Sequence, residues 1–186
     1  MKKIILIGHG NIAKDYIKVF NHRKKIKIIA VLGRNKNNVK NFAEKNNISK
    51  YFNKIDDIKL IKNFDAFIVA IPILETIKVL SKIAKYKKTV FFEKPMGVNY
   101  KESKRIYDVF QNSKTNLYML LNRRNYFVTK YAITKLQNDK SKRIIRITDQ
   151  QDTFGNLLHS KVYKNIQYTN SIHLIDYINL FARGKI

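Results

Sequence analysis

The sequence has no cysteine, which removes disulfides, thiolate catalysis and thiolate metal sites and agrees with a reducing, cytoplasmic setting. Long apolar runs are missing as well. Nothing approaches the ~20 consecutive apolar residues of a membrane span. The opening Met1-Lys2-Lys3 and the four apolar residues Ile4 to Ile7 read as a strand ending in Gly8, not as a signal segment. His22 and His159 have no partners at metal-ligand spacing, so no metal site is expected.

Acids are few: 13 Asp and Glu stand against 38 Lys and Arg, a net charge of +25. Such a charge raises a nucleic-acid reading. However, Lys, Ile and Asn are in excess together, and these three share adenine- and thymine-rich codons, so base composition explains all of them where nucleic-acid binding explains only the lysines. The lysines run from Lys2 to Lys185 without forming a stripe, and Arg, the better reader of phosphates and bases, is scarce. Solvated lysine faces are the preferred reading, and a nucleic-acid surface the lesser alternative. Hydrophobic content of 45% supports a real core, and 186 residues hold one domain, or one and part of another.

What is present is an alternation of strand and helix patterns. Strands are expected at Lys2 to Ile7, Ile26 to Leu32, Asp65 to Ile71, Thr89 to Phe92 and Leu117 to Leu121. Between them, Ile12, Tyr16 and Val19 or Phe20 share one helical face, Lys36 to Lys45 forms a polar helix, and Leu74, Ile77, Leu80 and Ala84 form a stripe. Ser103, Ile106, Tyr107 and Phe110 repeat the helical spacing. The pattern implies an α/β fold, a Rossmann-type doubly wound parallel sheet with right-handed crossovers, over residues 1–121. Residues 122–186 change character: a helix near Phe127 to Leu136, a strand at Lys142 to Thr148, a polar segment, and a helix from about Thr169 to Ala182 with Gly184 after it. They are expected to form an incomplete α+β domain, because a single strand has no visible partner.

The turn Gly8-His9-Gly10-Asn11-Ile12-Ala13 follows the first strand and opens a helix. Its first glycine supplies backbone freedom, its second lets a pyrophosphate approach the main chain, and the small Ala13 lets helix and strand pack closely. The expectation is a dinucleotide site using Gly8, Gly10, Asn11 and Ile12, with His9 contributing mainly backbone. The second strand ends Gly33-Arg34-Asn35, without the acid that would bind a ribose 2′-OH. Arg34 suits a 2′-phosphate, so NADP is favoured and NAD remains the alternative.

The turn, the strand ending Ala70-Ile71-Pro72, and the strand Val90-Phe91-Phe92 running into Glu93-Lys94-Pro95-Met96-Gly97 resemble the Gfo/Idh/MocA oxidoreductases. The resemblance implies NAD(P)-dependent oxidation or reduction at a hydroxyl or keto carbon of a sugar, cyclitol or nucleotide-sugar. It implies a homo-oligomer for the full-length family member, and places Ile71, Pro72, Glu93 and Lys94 against the cofactor, with Lys94 near the nicotinamide. A lysine there would need a lowered pKa to act as a base, or would polarise the substrate oxygen in its protonated form. The family also carries a histidine on a later helix with an acid one turn before it, and often another three residues after. His173 and Asp176 match, as base candidate and ring-orienting acid, while Thr169 stands where the first acid is expected. Arg123 and Arg124 match a segment that faces substrate, and a basic pair suits a carboxylate or phosphate, or a salt-bridged hinge. Glu75 replaces a histidine of many relatives and is read as a helix N-terminal acid. Relatives run to roughly twice this length over two full domains, so a truncated form that binds dinucleotide without catalysis is the alternative function.

Overall fold

Short runs of β-branched and aromatic residues pair into a six-stranded sheet: β1 (Lys2–Ile7), β2 (Ile26–Leu32), β3 (Lys50–Phe52), β4 (Ala66–Val69), β5 (Thr89–Glu93) and β6 (Leu117–Leu120). The structure is a computed structural model that describes residues 1–150 and 160–182. His159 and Gly184 lie outside them. The strand order is β3-β2-β1-β4-β5-β6, and β1 pairs in parallel with both β2 and β4, as β2 does with β3 and β4 with β5. The order reverses between β1 and β4, which is where open α/β sheets form a ligand crevice.

Helices α1 (Asn11–Asn21) and α2 (Lys36–Lys45) cover one face, packing Ala13, Ile17, Val39 and Phe42 on Leu6, Ile28, Val31 and Ile68. The other face is covered by α3 (Ile73–Ile83) and α4 (Tyr100–Ser113), whose Leu80, Ile83, Ile106 and Phe110 meet Ile5, Leu32, Phe67, Val90 and Phe92. Alternate residues of β1 thus enter opposite cores, as a strand buried on both faces requires.

The buried stripes differ from the expected ones at the mouths of the helices. On α1 the buried positions are Ala13 and Ile17, while Ile12 and Val19 are about half exposed. Only the methyl of Ala13 fits against the strand, so the face turns by one residue. On α3 Thr76, Leu80 and Ile83 are buried and Leu74 is exposed, and on α4 Tyr107 is exposed. The short β3 and a 3-10 helix at Ile55–Leu60 were not expected.

The chain divides into two units, Met1–Met119 and Leu120–Ile186. In the second, a 3-10 turn at Asn122–Asn125 precedes α5 (Phe127–Leu136), and α6 (Ser160–Tyr163), α7 (Ile166–Thr169) and α8 (Ile172–Phe181) follow. Residues 142–148 form no strand, since no other strand of this unit is present among the described residues to complete a ladder. The last helix is divided at Asn170-Ser171. Side chains of these types compete with helical hydrogen bonds, and the Ser171 hydroxyl donates to Asp149.

Gly8 adopts φ +114°, and a Cβ there would lie 2.0 Å from the Ala70 carbonyl oxygen, whereas one on Gly10 would meet nothing within 4 Å. Gly8→Ala is expected to cost at least ~2 kcal/mol and Gly10→Ala about 1 kcal/mol or less, measured as urea midpoints at constant slope. Equal costs would contradict this account of the turn.

Candidate functional site

Register brings the chemistry-bearing residues of the first unit to one edge. Ile7 lies opposite Leu32 and Val69, Leu32 opposite Phe52, and Val69 opposite Phe92. Gly8, Gly33, Ala70 and Glu93 therefore leave the sheet in one row. Gly8 N–H donates to Leu32 O at 2.8 Å, Ala70 N–H to Ile7 O at 2.8 Å and Gly33 N–H to Phe52 O at 3.0 Å, closing the edge. With strands about 4.8 Å apart, the Gly8 turn and Lys94 stand roughly 10 Å from each other, two strands along.

Gly10 is the N-cap residue of α1 and makes no side-chain cap, so the first turn of the helix directs its N–H groups outward. The open space at the Gly10 Cβ position is what a pyrophosphate approaching the main chain requires. Asn11 and Ile12 are exposed beside it, and the Asn11 side-chain Oδ1 accepts from Lys14 Nζ at 3.3 Å. The residues present fit a bound dinucleotide.

Arg34 follows β2, just before Asn35, whose side chain caps α2 by accepting from Asn38 N–H. Its guanidinium Nη1 donates to Glu75 Oε1 at 2.9 Å. His9 has its ring over Gly33, where a Cβ would lie 2.2 Å from His9 Cδ2. Glu75 sits in the first turn of α3, after Ile71 and the N-cap residue Pro72.

Glu93 closes β5, and its carboxylate accepts a hydrogen bond from the Tyr16 hydroxyl of α1. Burial, and then this carboxylate, push the Tyr16 phenol far above its ordinary pKa. Lys94 comes next, half-buried, joined to Pro95 by a cis peptide bond. The corner behind it is fixed by Asn99, which caps α4, and by Glu102, which accepts from Val98 N–H at 3.1 Å. A cavity of about 420 Å³ lined by Met1, Phe20, Arg23 and Ile48 lies toward the amino ends of β1 and β2. It is at the wrong edge for a doubly wound sheet, so the row at the carboxyl ends is the better candidate.

In the second unit, Thr169, His173 and Asp176 are all buried, Thr169 on α7 and the other two on α8. Arg124 binds Asp176 through Nε and Nη2, one to each carboxylate oxygen, and that hydrogen bonding raises the guanidinium pKa. Arg123 is half-buried on the same 3-10 turn. Thr129 Oγ1 and the Tyr177 hydroxyl, 3.1 Å apart, join α5 to α8. Sequence spacing did not reveal Tyr16 as the partner of Glu93, Glu75 as the partner of Arg34, or Arg124 as the partner of Asp176.

Residues 2–120 match the family described as an oxidoreductase family with an NAD-binding Rossmann fold. Among solved structures, the chain is similar to a probable dehydrogenase from Thermotoga maritima, at 22% identity and TM-score 0.67 over 73% of this chain and 41% of that one. The WlbA dehydrogenase from Bordetella pertussis, in complex with NADH and UDP-GlcNAcA, matches at 18% identity and TM-score 0.66 over 73% and 42%. Scyllo-inositol dehydrogenase from Lactobacillus casei, with NAD(H) and scyllo-inositol, matches at 18% identity and TM-score 0.67 over 75% and 42%. The chain thus spans about two-fifths of the length of these proteins. No curated protein matches the sequence.

Tyr16→Phe is expected to cost about 1–2 kcal/mol in urea, because Glu93 loses its donor in a half-buried place. Absorbance titration of the folded protein near 295 nm should coincide for the two proteins up to about pH 11, past the ordinary tyrosine pKa of ~10. A Tyr16 contribution near pH 10 would contradict the buried, bonded phenol. For the second unit, a double-mutant cycle of Arg124→Ala and Asp176→Asn should give a coupling of about 1–3 kcal/mol, limited by the half-exposed guanidinium. Additive effects would show that the pair contributes nothing.

Proposed function

Because the chain belongs to the Gfo/Idh/MocA oxidoreductase family, we propose that it binds NADP(H) across the carboxyl edge of the sheet and serves hydride transfer at a hydroxyl or keto carbon of a sugar, cyclitol or nucleotide-sugar. The observation that carries the reading is the single row formed by Gly8, Gly33, Ala70 and Glu93, set by register. In it, Gly8, Gly10, Asn11 and Ile12 would receive the pyrophosphate, Arg34 the 2′-phosphate, and Ile71, Pro72, Glu93 and Lys94 the nicotinamide half. The dinucleotide, when bound, supplies the hydride chemistry. The substrate class rests on the solved relatives, one holding UDP-GlcNAcA and another scyllo-inositol.

Removing a hydride from an alcohol carbon requires that the hydroxyl proton leave to a base within hydrogen-bond reach. Lys94 is proposed to hold or polarise that oxygen, and Tyr16 fixes the residue before it by gripping Glu93. His173 is proposed as base, with Asp176 held rigid by Arg124. Arg123, Thr169 and the exposed part of Arg124 are proposed to face substrate. Binding of dinucleotide without turnover is the second reading, favoured by Thr169 in the place of an acid.

Titration of nicotinamide fluorescence should show saturable NADPH binding by the folded protein. Turnover of inositols or UDP-sugars should fall at least ~100-fold in Lys94→Ala while NADPH affinity stays within a few-fold. Binding without any turnover selects the second reading, and absence of binding removes both.

A further inference from the structure

The ion pair between Arg34 and Glu75 crosses the cofactor edge. Arg34 follows β2 and Glu75 follows β4, while β1 lies between those two strands, so the pair spans the end of β1 from which the Gly8 turn emerges. It also joins the two sides of the sheet, because Arg34 leads into α2 on one face and Glu75 belongs to α3 on the other. The contact is 2.9 Å, with the Arg34 side chain 77% exposed and that of Glu75 32% exposed. A pair so open to water is held weakly and exchanges readily for a stronger anion.

We infer that Glu75 sets the dinucleotide preference by occupying Arg34: a 2′-phosphate must take the guanidinium from this carboxylate, whereas a 2′-hydroxyl need not. The inference rests on the reading of this edge as the dinucleotide site. A phosphate monoester carries nearly two negative charges and three acceptor oxygens, so it outcompetes one carboxylate for a guanidinium. It nevertheless meets the Glu75 charge at close range, which lowers the advantage of NADPH over NADH. The dinucleotide without that phosphate brings no extra charge to the place. Glu75 therefore supplies, from the far side of the crevice, a negative charge that weighs against the 2′-phosphate and leaves the 2′-hydroxyl form nearly untouched.

The test is a fluorescence titration of NADPH and NADH against the whole chain and the variants Glu75→Gln and Arg34→Ala at low salt. Glu75→Gln is expected to tighten NADPH by about 3–10-fold and to change NADH less than about 2-fold, with the difference shrinking as salt rises. Arg34→Ala should move the NADPH to NADH ratio the other way, by about 10-fold or more. Opposite shifts of one ratio cannot come from misfolding. An unchanged ratio in Glu75→Gln, or equal changes for both dinucleotides, overturns the role of Glu75 while leaving the site intact. Absence of saturable binding of either dinucleotide to the unaltered protein overturns the site, and this inference with it.

Discussion

The close approach of the first turn to the end of β4 is the constraint on which the rest of the first unit depends. The Ala70 carbonyl oxygen occupies the space that any side chain at position 8 would need, and Gly8 meets this with a backbone conformation open chiefly to glycine. From that contact β1 and β4 stay level at their carboxyl ends. α1 then starts at once, with Ala13 against the strands and Gly10 facing open space. Moving the turn outward by one side chain would separate the helix N-terminus from the row of strand ends, and the row is what makes the edge chemically coherent.

Packing and site geometry are consequently one problem. β1 is buried on both faces, so the helices on either side are fixed by apolar contacts that have nothing to do with chemistry. Those same contacts bring Tyr16 on one side of the sheet to Glu93 at its edge, and Arg34 and Glu75 to each other from opposite sides. Polar pairs of this kind contribute little to stability compared with the cores they bridge. They determine orientation: Glu93 immediately precedes Lys94, and a gripped carboxylate leaves the next residue fewer ways to point.

The strand pattern and the first turn were legible because both are local. β1 and β2 have the boundaries of their apolar runs and α2 those of the polar helix expected after them, and the glycines of the turn carry their own reason. Less legible was anything decided at a distance. β3 is three residues long and follows a polar stretch, so only its pairing with β2 reveals it as a strand. The segment at Lys142 to Thr148 carries a strand-like composition, but composition does not make a ladder without a partner. Ile12 fits a helical stripe by spacing and is nonetheless displaced from the core, since the turn places it at the open mouth. Glu75 looks like an ordinary helix N-terminal acid, and the reading is correct as far as it goes. Its pairing with a residue 41 positions earlier belongs to the topology alone.

Scarcity of acids explains why those pairings carry information. With 13 acids against 38 basic residues, a lysine or arginine at any given place says little, whereas each carboxylate has many cations competing for it. Among the described residues, carboxylates at the edge and in the second unit are committed: Glu75 to Arg34, Glu93 to Tyr16 and Asp176 to Arg124. The surplus positive charge favours any anionic ligand and cannot by itself distinguish one from another. Discrimination has to come from the few places where a negative charge is held in a fixed position. At the sheet edge, the position of a carboxylate therefore decides more than the abundance of lysine around it.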